Sequence, residues 1–479
     1  MSGQRSESRW TLLSRVEGKG RKMRILLISA INPHMESETR YPQLGLGYLV
    51  SYARKKLGAD THEFKVINRD IEEAVEEFRP DIVGISCFSS NYGIVKRYAA
   101  FCKGKGIPVV IGGIHISLLP DSFTKEMDIG ALHEGEETFA EVIELYDRTG
   151  RFDPESCASI KGIIYWEDGR LKFTERRPLI DDLDEIPRPA RELLNVRGSH
   201  LSMFTSRGCP YRCVFCASSR YWTKTRFASA SYVAEEIKEL YYDYGAKIIS
   251  FYDDLFIVNR KRVKELRDIL DAEGLLGKVS FSCSARANLV DDDMARLLKD
   301  LNVVSVALGL ESGHQRVLKY LKGGNISVEA NRSAVELLAR NGITPNAAFI
   351  IGSPDETREE MMATYDFIRS VPLRNFNVYV MTPLPGTPVW AEAAGKGLIQ
   401  KDFEDWASLD AVHFSKHYRK AIIVSETMSR EEILKVYRKF QRLRYWVFFK
   451  NVHRHPFVKD VPRMTLALAR ERILGMVKG

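Results

Sequence analysis

Between Arg24 and Tyr146 the chain alternates short apolar runs with segments whose apolar residues recur every three or four positions. The first kind fits buried strands and the second amphipathic helices. Strand runs fall at Arg24–Ala30, Phe64–Asn68, Asp81–Cys87, Pro108–Ile111 and Ile129–Leu132. Helical runs fall between them at Leu44–Leu57, Ile71–Phe78 and Tyr92–Lys105, and a last one follows at Glu136–Tyr146. Five strands alternating with helices predict an α/β domain over 23–148 with a doubly wound, flavodoxin-like parallel sheet. Ligands of such sheets bind at the carboxyl ends of the strands.

A connector over 149–200 comes next. Gly162–Trp166 and Arg170–Phe173 flank Asp168-Gly169, which predicts a hairpin. The stretch DDLDEIPRPARELL then has the proline spacing and polarity of a linker, and places the domain boundary near Pro187–Leu194. A second alternation fills 201–390. Its strand runs are Ser202–Ser206, Lys247–Tyr252, Val279–Cys283, Val303–Leu310, Pro345–Ile351 and Phe376–Met381, with helical runs such as Val233–Tyr244 and Arg260–Ala272 between them. Six strand–helix repeats predict a partial (βα)6, TIM-like barrel, whose functional groups gather at the carboxyl ends of its strands.

Composition narrows the class without naming a function. Of 479 residues, 44% are apolar and 28% charged, which excludes a disordered or collagen-like chain. No run reaches the ~18 apolar residues of a membrane span. Met1–Lys22 is basic and lacks the apolar core of a signal peptide, so it reads as a flexible extension and the expected location is the cytoplasm. The net charge of +8 is uneven. Residues 1–22 carry +4 and residues 411–479 carry +11, which leaves a mildly acidic body. Residues 391–479 are expected to be helical. Within them Leu434–Phe449 mixes Lys435, Arg438, Lys439, Arg442 and Arg444 with Tyr437, Phe440, Tyr445, Trp446, Phe448 and Phe449. Two readings stand: a terminal helix packing its aromatics on the body, or one lying on an anionic membrane surface at the inner face of the membrane. No base-reading module is present, so nucleic acid is not an expected partner.

The seven cysteines are too few and too unevenly spaced for a disulfide scaffold. Three of them, Cys209, Cys213 and Cys216, stand in SRGCPYRCVFC as CxxxCxxC, after the first barrel strand. Three thiolates this close can converge on one metal centre. Structural zinc wants a fourth Cys or His nearby, and His200 and His314 are not at finger-like spacing. An iron–sulfur cluster held by three cysteines leaves one iron open for a substrate or cofactor. A pure electron-transfer cluster is a further alternative.

CxxxCxxC on a sixfold βα repeat resembles the radical S-adenosylmethionine (radical SAM) superfamily, and the later strand ends fit as well. FYDDLF carries Asp253 and Asp254, SARAN carries Ser284 and Arg286, GLESG carries Glu311, and FIIGSPDET and TPLPGTP close the series. The resemblance implies a 4Fe–4S cluster on Cys209, Cys213 and Cys216 that cleaves SAM to a 5′-deoxyadenosyl radical. It implies Asp253 or Asp254 at the SAM ammonium, Arg286 at its carboxylate and Glu311 at the ribose. Phe215 and the backbone at Ile350–Gly352 would meet the adenine, and Ser284 is a weaker candidate.

YPQLGLGYLVSYARK, GGIHIS and HEGEETF extend the resemblance to the radical SAM subgroup with an N-terminal cobalamin-binding domain. That implies cobalamin held by Ser86, Gly112, Gly113, His115, Gly135 and Glu136. Cys87 and Ser89 end the same strand as Ser86. Many cobalamin proteins carry DxHxxG with a cobalt-ligating His, whereas the loop here reads NPHMES, with Asn32, His34 and Ser37. His34 and His115 are the candidate axial ligands. Methylthiotransferases of the same superfamily need three further cysteines in the N-terminal domain, and here only Cys87 lies at a plausible strand end. The expected chemistry is methyl transfer to an unactivated carbon. The alternatives are ring closure or rearrangement, as in the anaerobic cyclase of chlorophyll synthesis, and a non-catalytic cobalamin or redox sensor. Expected partners are a small-molecule or lipid-like substrate and an external one-electron reductant of flavodoxin or ferredoxin type. Tyr379, Trp390 and Trp406 are candidates for an apolar pocket wall or for core packing.

Overall fold

The apolar run RILLIS forms β1 (Arg24–Ser29) at the middle of the N-terminal sheet, with Ile25, Leu26 and Ile28 fully buried. The computed structural model describes residues 22–31, 43–194, 196, 198–400, 403–410, 414 and 418–451. Beside β1 lie β2 (Glu63–Ile67) and β3 (Ile82–Ser86), followed by β4 (Val109–Gly112) and β5 (Ile129–Ala131). All five pair in parallel, in the order β2-β1-β3-β4-β5. The sheet then continues beyond the predicted five strands. The hairpin β6 (Ile163–Glu167) and β7 (Arg170–Phe173) does not stand apart in a connector. It adds to the sheet edge, β6 pairing antiparallel with β5 through Ile129 and Tyr165. The reason is coverage: β5 has three residues, and Ile163, Ile164 and Tyr165 are buried where they pair with it.

The second sheet has six parallel strands in sequence order: β8 (His200–Met203), β11 (Ile248–Phe251), β12 (Ser280–Ala285), β13 (Val303–Glu311), β14 (Thr344–Ile351) and β15 (Asn375–Val380). All six predicted strands are present, five within two residues of their expected bounds, while the first, expected at Ser202–Ser206, ends three residues earlier at Met203. β15 and β8 do not pair, so the barrel is open. Five helices packed behind this sheet each start at a side-chain cap: Ser229, Asn259, Asp291, Ser327 and Thr357 accept from backbone N–H groups of the first turn. Thr357 and Glu360 form a full capping box. By contrast Leu44–Leu57 and Glu136–Thr149, in the N-terminal domain, begin at Gln43 and Gly135 without a side-chain cap.

Two features decide where the halves meet. The chain does not run straight from β8 into the cysteines. It first makes a two-residue strand β9 (Ser206–Arg207), paired antiparallel with β10 (Arg226–Phe227). The helix Arg430–Asn451 closes the open barrel edge, burying Ile433, Tyr437 and Phe440 in the same core as Val378 and Val380 of β15.

Candidate active site

The strand ends of the N-terminal sheet and the mouth of the barrel enclose a cavity of about 360 Å³. Its floor comes from Ser86, Gly84, Val110, Gly112 and Gly113, at or near the ends of β3 and β4. Gly45 and Gly135 open it further at the starts of two helices. Gly113 has φ 108°, and a Cβ there would lie 2.7 Å from the Cys87 carbonyl oxygen, so no other residue fits. The opposite wall is aromatic and belongs to the barrel: Phe204, Tyr221, Trp222 and Tyr252. Asp254 closes the cavity beside them.

The cysteine loop adjoins that wall. Cys209, Cys213 and Cys216 are half-buried, whereas Cys87, Cys102, Cys157 and Cys283 are fully buried. Burial raises the Cys209 thiol to about 11, and it also raises Cys216. Among the described residues no three metal-ligating side chains converge on one point. The loop brings three soft donors into one neighbourhood, where Cys213 acts electrostatically on both Cys209 and Cys216. It is pinned from the barrel side by the Val214 N–H, which donates to the Leu321 carbonyl at 3.1 Å. Arg286 holds it too, with Nη1 3.7 Å from Cys213 Sγ, Nη2 donating to the Lys322 carbonyl at 3.2 Å, and its plane 4.0 Å over Tyr211. Glu311 ends β13 at φ 63°, an uncommon backbone for a non-glycine residue. Burial raises its carboxyl, and Lys322 Nζ lies 3.8 Å away. Phe215 packs in one apolar cluster with Ile350 and Met381. Gly352 has φ 79°, and its N–H donates to Glu356 Oε2 at 2.8 Å.

The two neighbouring aspartates have different surroundings. Asp254 reaches both the cavity and the loop: Ser218 Oγ donates to it at 2.6 Å, and its charge acts on Cys209 and Cys216. Asp253, expected as an alternative at the SAM ammonium, points inward and is buried. Its Oδ1 accepts from the Thr205 N–H at 2.6 Å and the Ser206 N–H at 3.1 Å, and Arg262 lies 3.7 Å from Oδ2. Its oxygens brace the turn into β9 and do not face the cavity.

His115 is also placed differently from the expectation. It is buried inside the N-terminal domain, with its ring 4.3 Å from Tyr92 and 4.8 Å from Trp406, and Nδ1 3.0 Å from Ser89 Oγ. The short helix Ile114–Leu118 turns its side chain toward Tyr92, Ser89 and Trp406, and Gly112, Gly113 and Ile114 face the cavity in its stead. Trp406 and Trp390 stack in the same group, so both serve core packing. Glu136 lines the cavity, but its carboxylate is held by Arg207. Burial alone would raise its pKa, and the guanidinium outweighs this and holds it low. Ser284 lies half-buried near the carboxyl end of β12. Asn32, His34 and Ser37 lie outside the described residues.

Sequence reasoning missed Arg207, Tyr48, Tyr221 and Trp222, which line the cavity. Their signal was weak. Arg207 directly precedes the GC of the cysteine motif, and Tyr48 lies inside the quoted YPQLGLGYLV segment.

The donor sets fit the implied groups. Three partly exposed thiols suit an iron–sulfur cluster better than a hard cation. A glycine-floored, apolar-walled cavity across a sheet's carboxyl edge suits a large flat organic cofactor.

Both halves of the chain match known families. Residues 203–368 match the radical SAM superfamily and residues 34–143 match the B12 binding domain. The chain is 32% identical over 460 residues to an uncharacterized methyltransferase of Pyrococcus horikoshii, covering 90% of this chain and 96% of that one. It is 26% identical to the anaerobic magnesium-protoporphyrin IX monomethyl ester cyclase of Rubrivivax gelatinosus, covering 95% and 82%. In fold it is similar to the radical SAM methyltransferase TsrM of Kitasatospora setae, solved with cobalamin and a 4Fe–4S cluster. There the TM-score is 0.64 at 19% identity, over 78% of this chain and 76% of that one.

Proposed function

The chain belongs to the cobalamin-binding radical SAM enzymes, and from that premise we propose that it transfers a methyl group to an unactivated carbon of a small, largely apolar molecule. The observation that carries this reading is Asp254. It closes the cavity on one side and stands by Cys209 and Cys216 on the other, so the two cofactor sites share a wall. When bound, the 4Fe–4S cluster and SAM supply radical chemistry and cobalamin supplies a methyl carrier.

The chain's own residues bind and orient. Cys209, Cys213 and Cys216 hold the cluster, and Asp254 receives the SAM ammonium. Arg286 and Glu311 face the carboxylate and ribose, and Phe215 with Ile350 meets the adenine. Gly112, Gly113 and Gly135 let backbone approach the corrin, with Ser86 beside them. The aromatic wall of Phe204, Tyr221, Trp222 and Tyr252 keeps water from the shared space.

Anaerobic reconstitution with iron, sulfide and hydroxocobalamin tests this. We expect about four irons and one cobalt per chain, and S-adenosylhomocysteine formed alongside 5′-deoxyadenosine. Cys213→Ala removes the cluster absorbance and reductive SAM cleavage, and surviving cleavage overturns the cluster assignment. Ring closure is the second reading, favoured by the 26% identity to the cyclase across nearly the whole chain. It yields 5′-deoxyadenosine without S-adenosylhomocysteine.

No helix among the described residues is long and apolar enough to cross a membrane. The basic aromatic helix supports peripheral contact with an anionic surface, and with it a lipid-like substrate. Tyr445, Trp446 and Phe449 are 44%, 55% and 54% exposed, beside Arg442 and Lys450. A flavodoxin- or ferredoxin-type protein supplies the electron.

A further inference from the structure

Two arginines of the β9–β10 ribbon enter the acidic start of the helix Glu136–Thr149. Arg207 and Arg226 are register partners across that ribbon. Arg207 Nη1 donates to Glu134 Oε1 at 2.7 Å and Nη2 to Glu136 Oε1 at 2.5 Å. Arg226 Nη1 donates to Glu134 Oε2 at 2.9 Å and to the Ile180 carbonyl. The Glu134 Oε2 also accepts from the Ile180 N–H at 2.9 Å. The four charges balance, and none of the four side chains is more than 13% exposed. The Arg207 guanidinium also lies 5.5 Å from the ring of Tyr48 and 5.8 Å from that of Trp222. Removing Arg207 would leave the buried Glu136 without its partner, and removing Glu134 would do the same to Arg226.

This clamp touches both cofactor sites. Tyr48, Glu134, Glu136, Arg207 and Trp222 all line the cavity. Arg207 is also two residues from Cys209, and the glycine between them is tightly packed. Gly208 has φ 87°, and a Cβ on it would lie 2.8 Å from the Lys224 carbonyl oxygen and 2.9 Å from the Trp222 Cβ. The same loop is anchored on its far side by Val214 and Leu321. A displacement of Arg207 would reach Cys209 through this tightly packed glycine.

We infer that Arg207 and Arg226, held by Glu134 and Glu136, are positioning residues that couple occupancy of the cavity to the arrangement of the cysteine loop. The inference rests on the cofactor assignment above. Coupling between two sites is reciprocal: whatever one ligand gains from the other is returned equally.

The test compares hydroxocobalamin affinity by equilibrium dialysis in four full-length proteins: wild type with cluster, Cys213→Ala, Arg207→Gln with cluster, and the double variant. Loss of the cluster is expected to weaken hydroxocobalamin binding by about fivefold or more in the wild-type background. In the Arg207→Gln background the same loss is expected to change it by less than about twofold. The reciprocal readout is cluster loss to an iron chelator, which hydroxocobalamin slows in the wild type and does not slow in Arg207→Gln. Equal affinity ratios in both backgrounds overturn the coupling. Should Arg207→Gln fail to fold, Glu136→Gln keeps the shape, removes one charge and carries the same comparison. If cluster-loaded wild type binds no hydroxocobalamin at all, the cavity assignment fails as well, which separates the two failures.

Discussion

Adjacent aspartates at the end of β11 carry different loads. Asp253 is buried, accepts two backbone N–H groups and faces Arg262, for which it is the paired carboxylate among the described residues. Asp253→Ala is expected to cost about 3–5 kcal/mol, the range for breaking a buried ion pair, read as a lowered denaturant midpoint. Asp254→Asn is expected to leave that midpoint almost unchanged and to weaken SAM binding in equilibrium dialysis. The reverse pattern would exchange their roles. His115 supplies a pH test. Burial lowers its pKa from 6.5 to about 3, so the folded chain keeps it neutral where the unfolded chain protonates it. The unfolded state then binds more protons, and folding stability falls as pH drops below 6.5 toward 3. Above pH 6.5 both states are neutral and the effect vanishes. His115→Phe is expected to flatten part of that acid limb in denaturation curves taken from pH 7 to pH 4, and an unchanged slope would contradict the burial argument.

At the scale of elements, the helix Arg430–Asn451 divides its aromatic residues by face. Phe440 is fully buried against the barrel, 5.5 Å from Tyr365, while Trp446 and Phe449 are exposed. Core packing thus holds for one face of the helix, and the proposed membrane contact belongs to the other. Phe440→Ala is expected to destabilise by about 3–5 kcal/mol. Trp446→Ser with Phe449→Ser should leave stability intact and abolish co-sedimentation with anionic vesicles, and an intact chain that ignores such vesicles refutes membrane contact. The ribbon β9–β10 is the element that periodicity missed. Two residues per strand give no alternation to read, and its partner strand lies beyond the cysteines.

On the scale of the whole molecule, the cavity exists because the two sheets present their carboxyl edges to each other. Neither domain alone encloses it: Gly112 and Gly135 come from one, Trp222 and Asp254 from the other. A ligand that bridges them binds the folded state and not the unfolded one. Hydroxocobalamin at a hundred times its Kd should therefore stabilise the chain by about 2.7 kcal/mol, seen as a higher melting temperature. No shift at saturating cobalamin would place the ligand elsewhere.

Local periodicity was enough to read nearly all of the elements and the order of the two α/β halves. The 2.0 and 3.6 residue repeats are properties of neighbouring residues, and apart from β8 the strands follow them to within a residue or two. Cysteine spacing likewise identified the loop, because its chemistry is local. Tertiary structure alone decided which of Asp253 and Asp254 faces the cavity, that His115 turns inward, and that the hairpin extends the first sheet. It also decided that Glu134 and Glu136 meet Arg207 across more than seventy residues of chain. Those outcomes depend on which side chains can be buried together and which charges then find partners. That balance of desolvation against pairing is set only when distant segments pack.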